Sequence, residues 1–306
     1  MTEPTPKPRC KPVRRLPPWL KKRIPTTDAG QGVRAMLREL GLTTVCQEAH
    51  CPNIMECFAK HTATFMIMGD VCTRNCRFCA VHTGEPQPLD PDEPRRVAEA
   101  VARLKLRHAV ITSVTRDDLA DGGSAHFVAV IDAIRQRHKC LIEVLTPDFE
   151  GREVDIATVA HARPDVYNHN LETVPRLCET VRPQADYSRS LGVLECVKRV
   201  APDRVTKSGL MVGMGETRQE IHDSLRDLRG VNCDIITIGQ YLRPSPEHVP
   251  VARYMPPEEF EELRREALEL GFRAAASGPF VRSSYCAEEV FNNARSAMGA
   301  DGEGER

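Results

Sequence analysis

The sequence is poor in the features that bind polyanions or bilayers. Its formal net charge is -1 over 306 residues, so no overall attraction to nucleic acid is implied. Aromatic residues make up only 5%, with a single tryptophan, which argues against a surface for stacking bases. No apolar run approaches the roughly 20 residues that span a bilayer. The opening stretch, MTEPTPKPRCKPVRRLPPWLKKRIP, has no apolar centre like a secretory signal's, and its prolines spoil an amphipathic transit helix. These absences point to a cytoplasmic chain with neither nucleic acid nor membrane as partner. The hydrophobic content of 41% suffices for one large domain or two small ones.

Cysteine, by contrast, is abundant: there are twelve. In a reducing compartment they are not expected as disulfides, so clustered cysteines suggest metal or catalysis and scattered ones suggest packing. Six cluster, at 46, 51, 57, 72, 76 and 79; six scatter, at 10, 140, 178, 196, 233 and 286.

Residues 1–26 are rich in proline and basic, with eight Lys or Arg against Glu3 alone, and read as an extended arm. A short helix is expected over 28–40, within an N-terminal extension covering 27–62. From Thr64 onward, short apolar runs alternate with amphipathic helices. Strands are expected at TFMIMG (64–69), 108–114, 140–145, 165–170, 207–213, 234–239 and 272–277. Helices are expected at 94–106, 124–138, 153–162, 174–181, 190–200, 217–229 and 256–271, the last with proline at its start and Gly271 at its end. About seven strand–helix repeats imply parallel strands with right-handed crossovers. The competing closures are an open doubly wound sheet and a full or partial (β/α) barrel. In a barrel the chemistry lies just beyond the strands. Polar groups fall there repeatedly: Thr115–Asp118, Glu143 with Thr146, Asn168–Asn170, Gly213–Glu216, and Gln240–Tyr241. The barrel is expected over 63–280, followed by a C-terminal segment over 281–306.

Cys72, Cys76 and Cys79 form CxxxCxxC directly after the first strand, with no regular element expected beyond it. Structural zinc prefers paired CxxC groups closed to four ligands, and no second CxxC exists here, although His82 is a candidate fourth ligand. A 4Fe-4S cluster suits three thiolates better, because its fourth iron then stays open to a small ligand. Arg74, Asn75 and Arg77 would place donors near the sulfurs. Upstream, Cys46, Cys51 and Cys57 form CxxxxCxxxxxC, most economically a second cluster site. Three buried thiols or a redox trio would be the alternatives.

CxxxCxxC with an aromatic, Phe78, before its last cysteine resembles the signature of radical S-adenosylmethionine enzymes. The pair of triplets is similar to that of the lipoyl synthase family. So are "CQEAHCPNIMECF", "SVTRDDLADGG", "IEVLTPDF", "NHNLETV", "KSGLMVGMGE", "IGQYLRPS" and "SGPFVRSSY", over about residues 28–290. The resemblance implies a partial (β/α) barrel of about six to seven parallel strands. The N-terminal extension would carry an auxiliary cluster, with the C-terminal segment closing over it. In "RSSY", Ser283 and Ser284 are equal candidates by sequence for an oxygen ligand or a helix cap; the resemblance selects Ser284 as a ligand of the auxiliary 4Fe-4S cluster beside Cys46, Cys51 and Cys57. Serinate is a hard ligand on an iron that otherwise takes thiolate, and so a displaceable one.

The activity implied is that of a sulfurtransferase. Two sulfur atoms enter carbons 6 and 8 of a protein-bound octanoyl-lysine, using two S-adenosylmethionines, with the auxiliary cluster consumed as sulfur donor. Cys72, Cys76 and Cys79 would hold the cluster that generates the 5′-deoxyadenosyl radical. An unactivated C–H bond offers no handle to acid–base residues, so cofactors must carry the chemistry. For S-adenosylmethionine the candidates are Asp117, Asp118, Glu143, Asn168 and Arg189, with Gly213 and Gly215 permitting close backbone approach.

The implied partners are octanoylated lipoyl domains of 2-oxoacid dehydrogenase E2 chains and the glycine-cleavage H protein. An electron donor such as ferredoxin or flavodoxin and a carrier that repairs the auxiliary cluster complete the set. Lys7, Arg9, Lys11, Arg14, Arg15, Lys21, Lys22 and Arg23 could dock an acidic carrier domain, or simply form a solvated arm. Another sulfur-inserting radical enzyme would share CxxxCxxC but not the upstream triplet together with RSSY. A non-enzymatic cluster carrier would bind clusters without cleaving S-adenosylmethionine.

Overall fold

The computed structural model describes residues 16–21, 31–48, 51, 53–59 and 64–303. Most of the basic arm lies outside them; Pro18–Leu20 form one 3-10 turn with Leu20 buried. The extension comprises α1 (Gln31–Glu39), β1 (Thr43–Thr44) and two short helices, α2 (Val45–Glu48) and α3 (Ile54–Ala59). Helix α1 buries Val33, Met36 and Leu37, an i, i+3, i+4 stripe.

The chain then enters its repeats: β2 (Thr64–Ile67), a small pair β3 (Val71–Cys72) and β4 (His82–Thr83), α4 (Glu93–Arg103), β5 (His108–Ser113), α5 (Ser124–Arg137) and β6 (Leu141–Leu145). There follow α6 (Glu153–His161), β7 (Val166–Asn168), α7 (Pro175–Val181), α8 (Tyr187–Val200), β8 (Val205–Val212), α9 (Arg218–Gly230), β9 (Ile235–Gln240), α10 (Pro257–Glu269), β10 (Ala274–Gly278) and α11 (Ala287–Glu303). Local chemistry sets the helix starts. Thr217 and Glu220 form a capping box on α9, and the Asp186 carboxylate accepts from the Arg189 N–H at the start of α8. Proline opens α10, and Gly271 follows it at φ 95°.

The main sheet runs β1-β2-β5-β6-β7-β8-β9-β10. Only β1 is antiparallel, against β2; the other seven strands are parallel, matching the expected alternation. Apolar layers fill the space between sheet and helices, one over β2, β5, β6 and β7 and another over β8 and β9. A third cluster plugs one end of the sheet's other face. There Val166, Val205, Ile235 and Ala274, at the first positions of β7 to β10, meet Val290, Phe291 and Ala294 of α11.

The sheet is not closed by strand pairing between β2 and β10. The segment after β10 makes the connection instead. Asn53 Nδ2 donates to the Phe280 carbonyl at 2.7 Å, the Thr64 and Ser284 hydroxyls are 2.8 Å apart, and the Tyr285 hydroxyl donates to Glu56 at 3.0 Å. Gly239 permits this crossing: a Cβ there would collide with the Val281 carbonyl.

The structure departs from the sequence reading in several places; β1, α2 and α3 lie where no element was expected, and α8 starts three residues early, at Tyr187. β4 follows the CxxxCxxC loop, where no regular element was expected; a two-residue pairing carries no periodicity. β8 starts two residues earlier than expected, at Val205. Helix α11 was not anticipated, because it is recognisable only by what it plugs. Phe291 is buried and sits edge-on to His108 at 6.0 Å. Phe291→Ala should therefore lower unfolding free energy by roughly 3 kcal/mol, read as a fall in the denaturant midpoint.

Candidate active site

The two cysteine triplets sit at the two ends of β2. At its C-terminal end Met68 and Gly69 turn with φ of 67° and 91°, and the chain enters the loop of Cys72, Cys76 and Cys79. The loop is closed at its base by β3 and β4, where Val71 pairs with His82 and Cys72 with Thr83. His82 thus occupies an exposed strand position. Other loops clamp the rest. The Arg77 N–H donates to the Val181 carbonyl (2.8 Å), the Val249 N–H to the Arg77 carbonyl (2.9 Å), and the Asn75 N–H to Gln184 (2.9 Å). His248 Nε2 lies 2.9 Å from the Cys79 carbonyl.

Cys72 Sγ accepts from the backbone N–H groups of Arg74 (3.4 Å) and Thr115 (3.3 Å). Arg74 thus places its backbone N–H at a sulfur, while its side chain turns to two carboxylates. Its buried guanidinium grips Asp117 with two bonds (2.6 and 2.8 Å) and Asp148 with a third (2.7 Å). It bolts the cysteine loop to the loops after β5 and β6, a bidentate geometry suited to arginine. Burial raises the pKa of the Asp148 carboxyl, but the Arg74 hydrogen bond and charge outweigh it and hold the value at about 2.

At the N-terminal end of β2 a small cavity is lined by Cys46, Cys51, Asn53, Cys57, Thr64, Arg282, Ser284 and Tyr285. Cys46 lies in α2 and Cys57 in α3, and the Cys51 N–H donates to the Cys46 carbonyl at 3.1 Å. The structure separates the two serines that sequence could not. Ser283 faces the barrel interior, accepting from Asn168 Nδ2 at 2.7 Å and donating to Asn170 Oδ1 at 3.2 Å. Ser284 lines the cysteine cavity.

Both triplets have the chemistry of an iron–sulfur ligand set. Burial pushes the Cys46 and Cys76 thiols up and the Cys79 thiol up to about 12. A cationic centre replaces those protons and reverses that preference. Among the described residues no three His, Cys, Asp or Glu side chains converge on a single-ion site. A cubane cluster needs a wider set, one ligand per corner.

Between the two ends the barrel interior is polar. Glu143 and Lys207 are fully buried and joined at 2.8 Å, with His108 Nε2 3.3 Å from the other Glu143 oxygen. Asn168 Nδ2 donates to Glu143 at 3.3 Å as well as to Ser283, while its Oδ1 has no hydrogen-bond partner among the described residues. Of the other expected ligand contacts, Asp118 is held by Arg116 (2.8 Å), and Arg189 reaches Asp148 at 3.4 Å. At Gly213 (φ 106°) the space is filled by the Gln240 side chain and the Arg253 carbonyl, not left for a ligand. Sequence reasoning missed Lys207 and Thr64. Lys207 left a usable signal, a cation inside the apolar run VTKSGLMV; Thr64 left none, since threonine is ordinary in a strand.

Comparison with known proteins agrees with this geometry. Residues 66–228 match the Radical SAM superfamily, and residues 4–51 match the N-terminal domain of lipoyl synthase of the radical SAM family. A lipoyl synthase from Caldanaerobacter subterraneus subsp. tengcongensis is 57% identical, covering 92% of this chain and 99% of that protein. One from Thermus thermophilus is 56% identical over 91% of this chain and 87% of its own. Among solved structures, methylornithine synthase aligns with a TM-score of 0.52 at 12% identity, covering 89% of this chain and 77% of that one. SuiB of Streptococcus suis bound to S-adenosylmethionine aligns at 0.51 and 11%, over 85% of this chain and 52% of that one. At such identities these two show the fold alone.

The buried pair makes a prediction. Burial acts to raise the Glu143 pKa, but Lys207 and His108 hold it down, from 4.5 to about 2. Its stabilising contribution is complete above about pH 4.5 and disappears as pH falls toward 2. Glu143→Gln should flatten the acid limb of a stability–pH profile. Lys207→Met should cost about 3–5 kcal/mol at neutral pH by stranding the carboxylate, and the double variant should cost less. Chemical denaturation of the three proteins checks this.

Proposed function

The chain belongs to the lipoyl synthase family of radical S-adenosylmethionine enzymes, and on that premise we propose how its own residues divide the reaction. The reaction inserts two sulfur atoms into an octanoyl chain borne by a lipoyl-carrier protein and depends on a 4Fe-4S cluster and S-adenosylmethionine. When bound, those cofactors supply a carbon radical able to take hydrogen from an unactivated carbon. Cys72, Cys76 and Cys79 hold the radical-generating cluster. Cys46, Cys51, Cys57 and Ser284 hold a second, auxiliary 4Fe-4S cluster as sulfur donor. One observation carries this division: three cysteines of the extension and a serine of the closing segment line one cavity, away from the CxxxCxxC loop.

The remaining residues bind and position. Asn168, whose buried oxygen has no partner among the described residues, and Arg189, partly exposed beside Asp148, are the foremost contacts for S-adenosylmethionine. Asp117 and Asp118 keep free lone pairs beside their arginine partners and contribute secondarily. Glu143 is committed to Lys207 and acts in the barrel core. The chain divides into arm (1–26), extension (27–62), barrel (63–280) and closing segment (281–306), with extension and closing segment acting as one wall. E2 lipoyl domains and the H protein serve as carriers, ferredoxin or flavodoxin as reductant, and a cluster-repair carrier restores the donor. The setting is the cytoplasm; among the described residues no helix is long and apolar enough to cross a membrane.

An anaerobic single turnover tests the proposal. With both clusters rebuilt from heavy-isotope sulfide, an octanoyl-lysine peptide should gain two heavy sulfurs, with no more than one lipoyl group per enzyme. Cys76→Ala should abolish S-adenosylmethionine cleavage. Cys51→Ala should keep cleavage but deliver no sulfur. Cleavage with an unchanged peptide in the unsubstituted enzyme would refute the assignment of the donor cluster.

A further inference from the structure

The contact that joins the closing segment to the barrel at the auxiliary cavity is between two hydroxyls. Thr64 Oγ1 lies 2.8 Å from Ser284 Oγ, across 220 residues of sequence. Thr64 is 5% exposed and lines the cavity with Cys46, Cys51 and Cys57. The Cys46 sulfur lines the same cavity and offers the Thr64 hydroxyl a second acceptor there. The fold itself does not require a hydroxyl here. Thr64 opens β2 opposite Val110, a position where valine packs equally well. A threonine hydroxyl has one proton and two lone pairs. It can donate to Ser284 or to Cys46, but not to both at once.

We propose that Thr64 is a positioning residue of the auxiliary centre, holding Ser284 Oγ at the corner that Cys46, Cys51 and Cys57 leave open and governing how readily that corner is vacated. This rests on the reading of Ser284 as a ligand given above. While Ser284 is in place as an anionic oxygen, the Thr64 proton points to it, a charge-assisted bond stronger than one to a neutral oxygen. If Ser284 withdraws, the same proton turns to the Cys46 sulfur. Departure of the serine therefore strands no buried donor, a penalty that would otherwise oppose it. Thr64 is thus placed to steady the ligand without locking it.

The test compares a hydroxyl with its absence at one position in the protein carrying both clusters. Thr64→Val and Thr64→Ala remove it, Thr64→Ser keeps it, and Ser284→Ala is the control. Iron loss under anaerobic reduction is followed by the colour of a ferrous chelator. The Mössbauer spectrum of isotopically enriched iron reports the oxygen-ligated site. Thr64→Val should release iron from the auxiliary cluster roughly tenfold faster and shift the spectrum of that site, while Thr64→Ser matches the unsubstituted protein. Thr64→Ala gives the same comparison should the valine variant fail to take up its cluster. Equal rates in the Val, Ala, Ser and unsubstituted proteins, with Ser284→Ala fast, would overturn the role of Thr64 alone. Fast release from Thr64→Ser as well would assign the effect to the lost methyl and overturn it too. An unchanged rate and spectrum in Ser284→Ala would remove the ligand reading itself, a failure distinct from the other two.

Discussion

Strand β2 is four residues long and buried along its whole length, and both cysteine triplets depend on its two ends. Thr64 touches the cavity of Cys46, Cys51 and Cys57; the chain leaving Ile67 turns through Met68 and Gly69 into Cys72. From Thr64 to Cys72 the backbone can reach at most about 28 Å, and the turn shortens that. β2 is paired on both sides, with β1 and β5, so it cannot slide without losing its ladders. On the assignment proposed above, a substrate chain held between the ends would meet a radical source on one side and a sulfur source on the other, at a separation fixed by the most constrained element of the fold.

The closing segment depends on that strand in turn. Because β10 does not pair with β2, the gap must be covered by something that satisfies side chains rather than a ladder. Asn53, Glu56 and Thr64 receive the segment from one side and Asn168 and Asn170 from the other, while α11 seals the far end with apolar packing. Successive serines consequently face opposite ways, Ser283 into the barrel and Ser284 into the cysteine cavity. The polar centre stays ordered because its charges are paired: Glu143 with Lys207, and Arg74 with Asp117 and Asp148. An apolar filling would be as stable in principle, but it would offer nothing to orient a charged, hydrogen-bonding cofactor.

The strand–helix alternation, the parallel sheet and the two cysteine triplets were all legible in the sequence. Each is a local pattern: a period of two or 3.6 residues, or a spacing within one loop. The start of α10 and its glycine stop were legible for the same reason. Local pattern also proposed Asp117 and Glu143 as ligand contacts, since carboxylates beyond or within strands look available when their partners are distant in sequence. Asp117 meets an arginine 43 residues away and Glu143 a lysine 64 away.

What sequence alone determined, then, was the class of chemistry, because thiolate spacing is a property of one short stretch of chain. Tertiary structure decided which serine faces the extension's cysteines, which carboxylates are already paired, and that α11 plugs the barrel. It also brought Thr64 against Ser284. Each of these depends on contacts between segments tens to hundreds of residues apart, and such contacts exist only once the sheet has fixed the order of its strands.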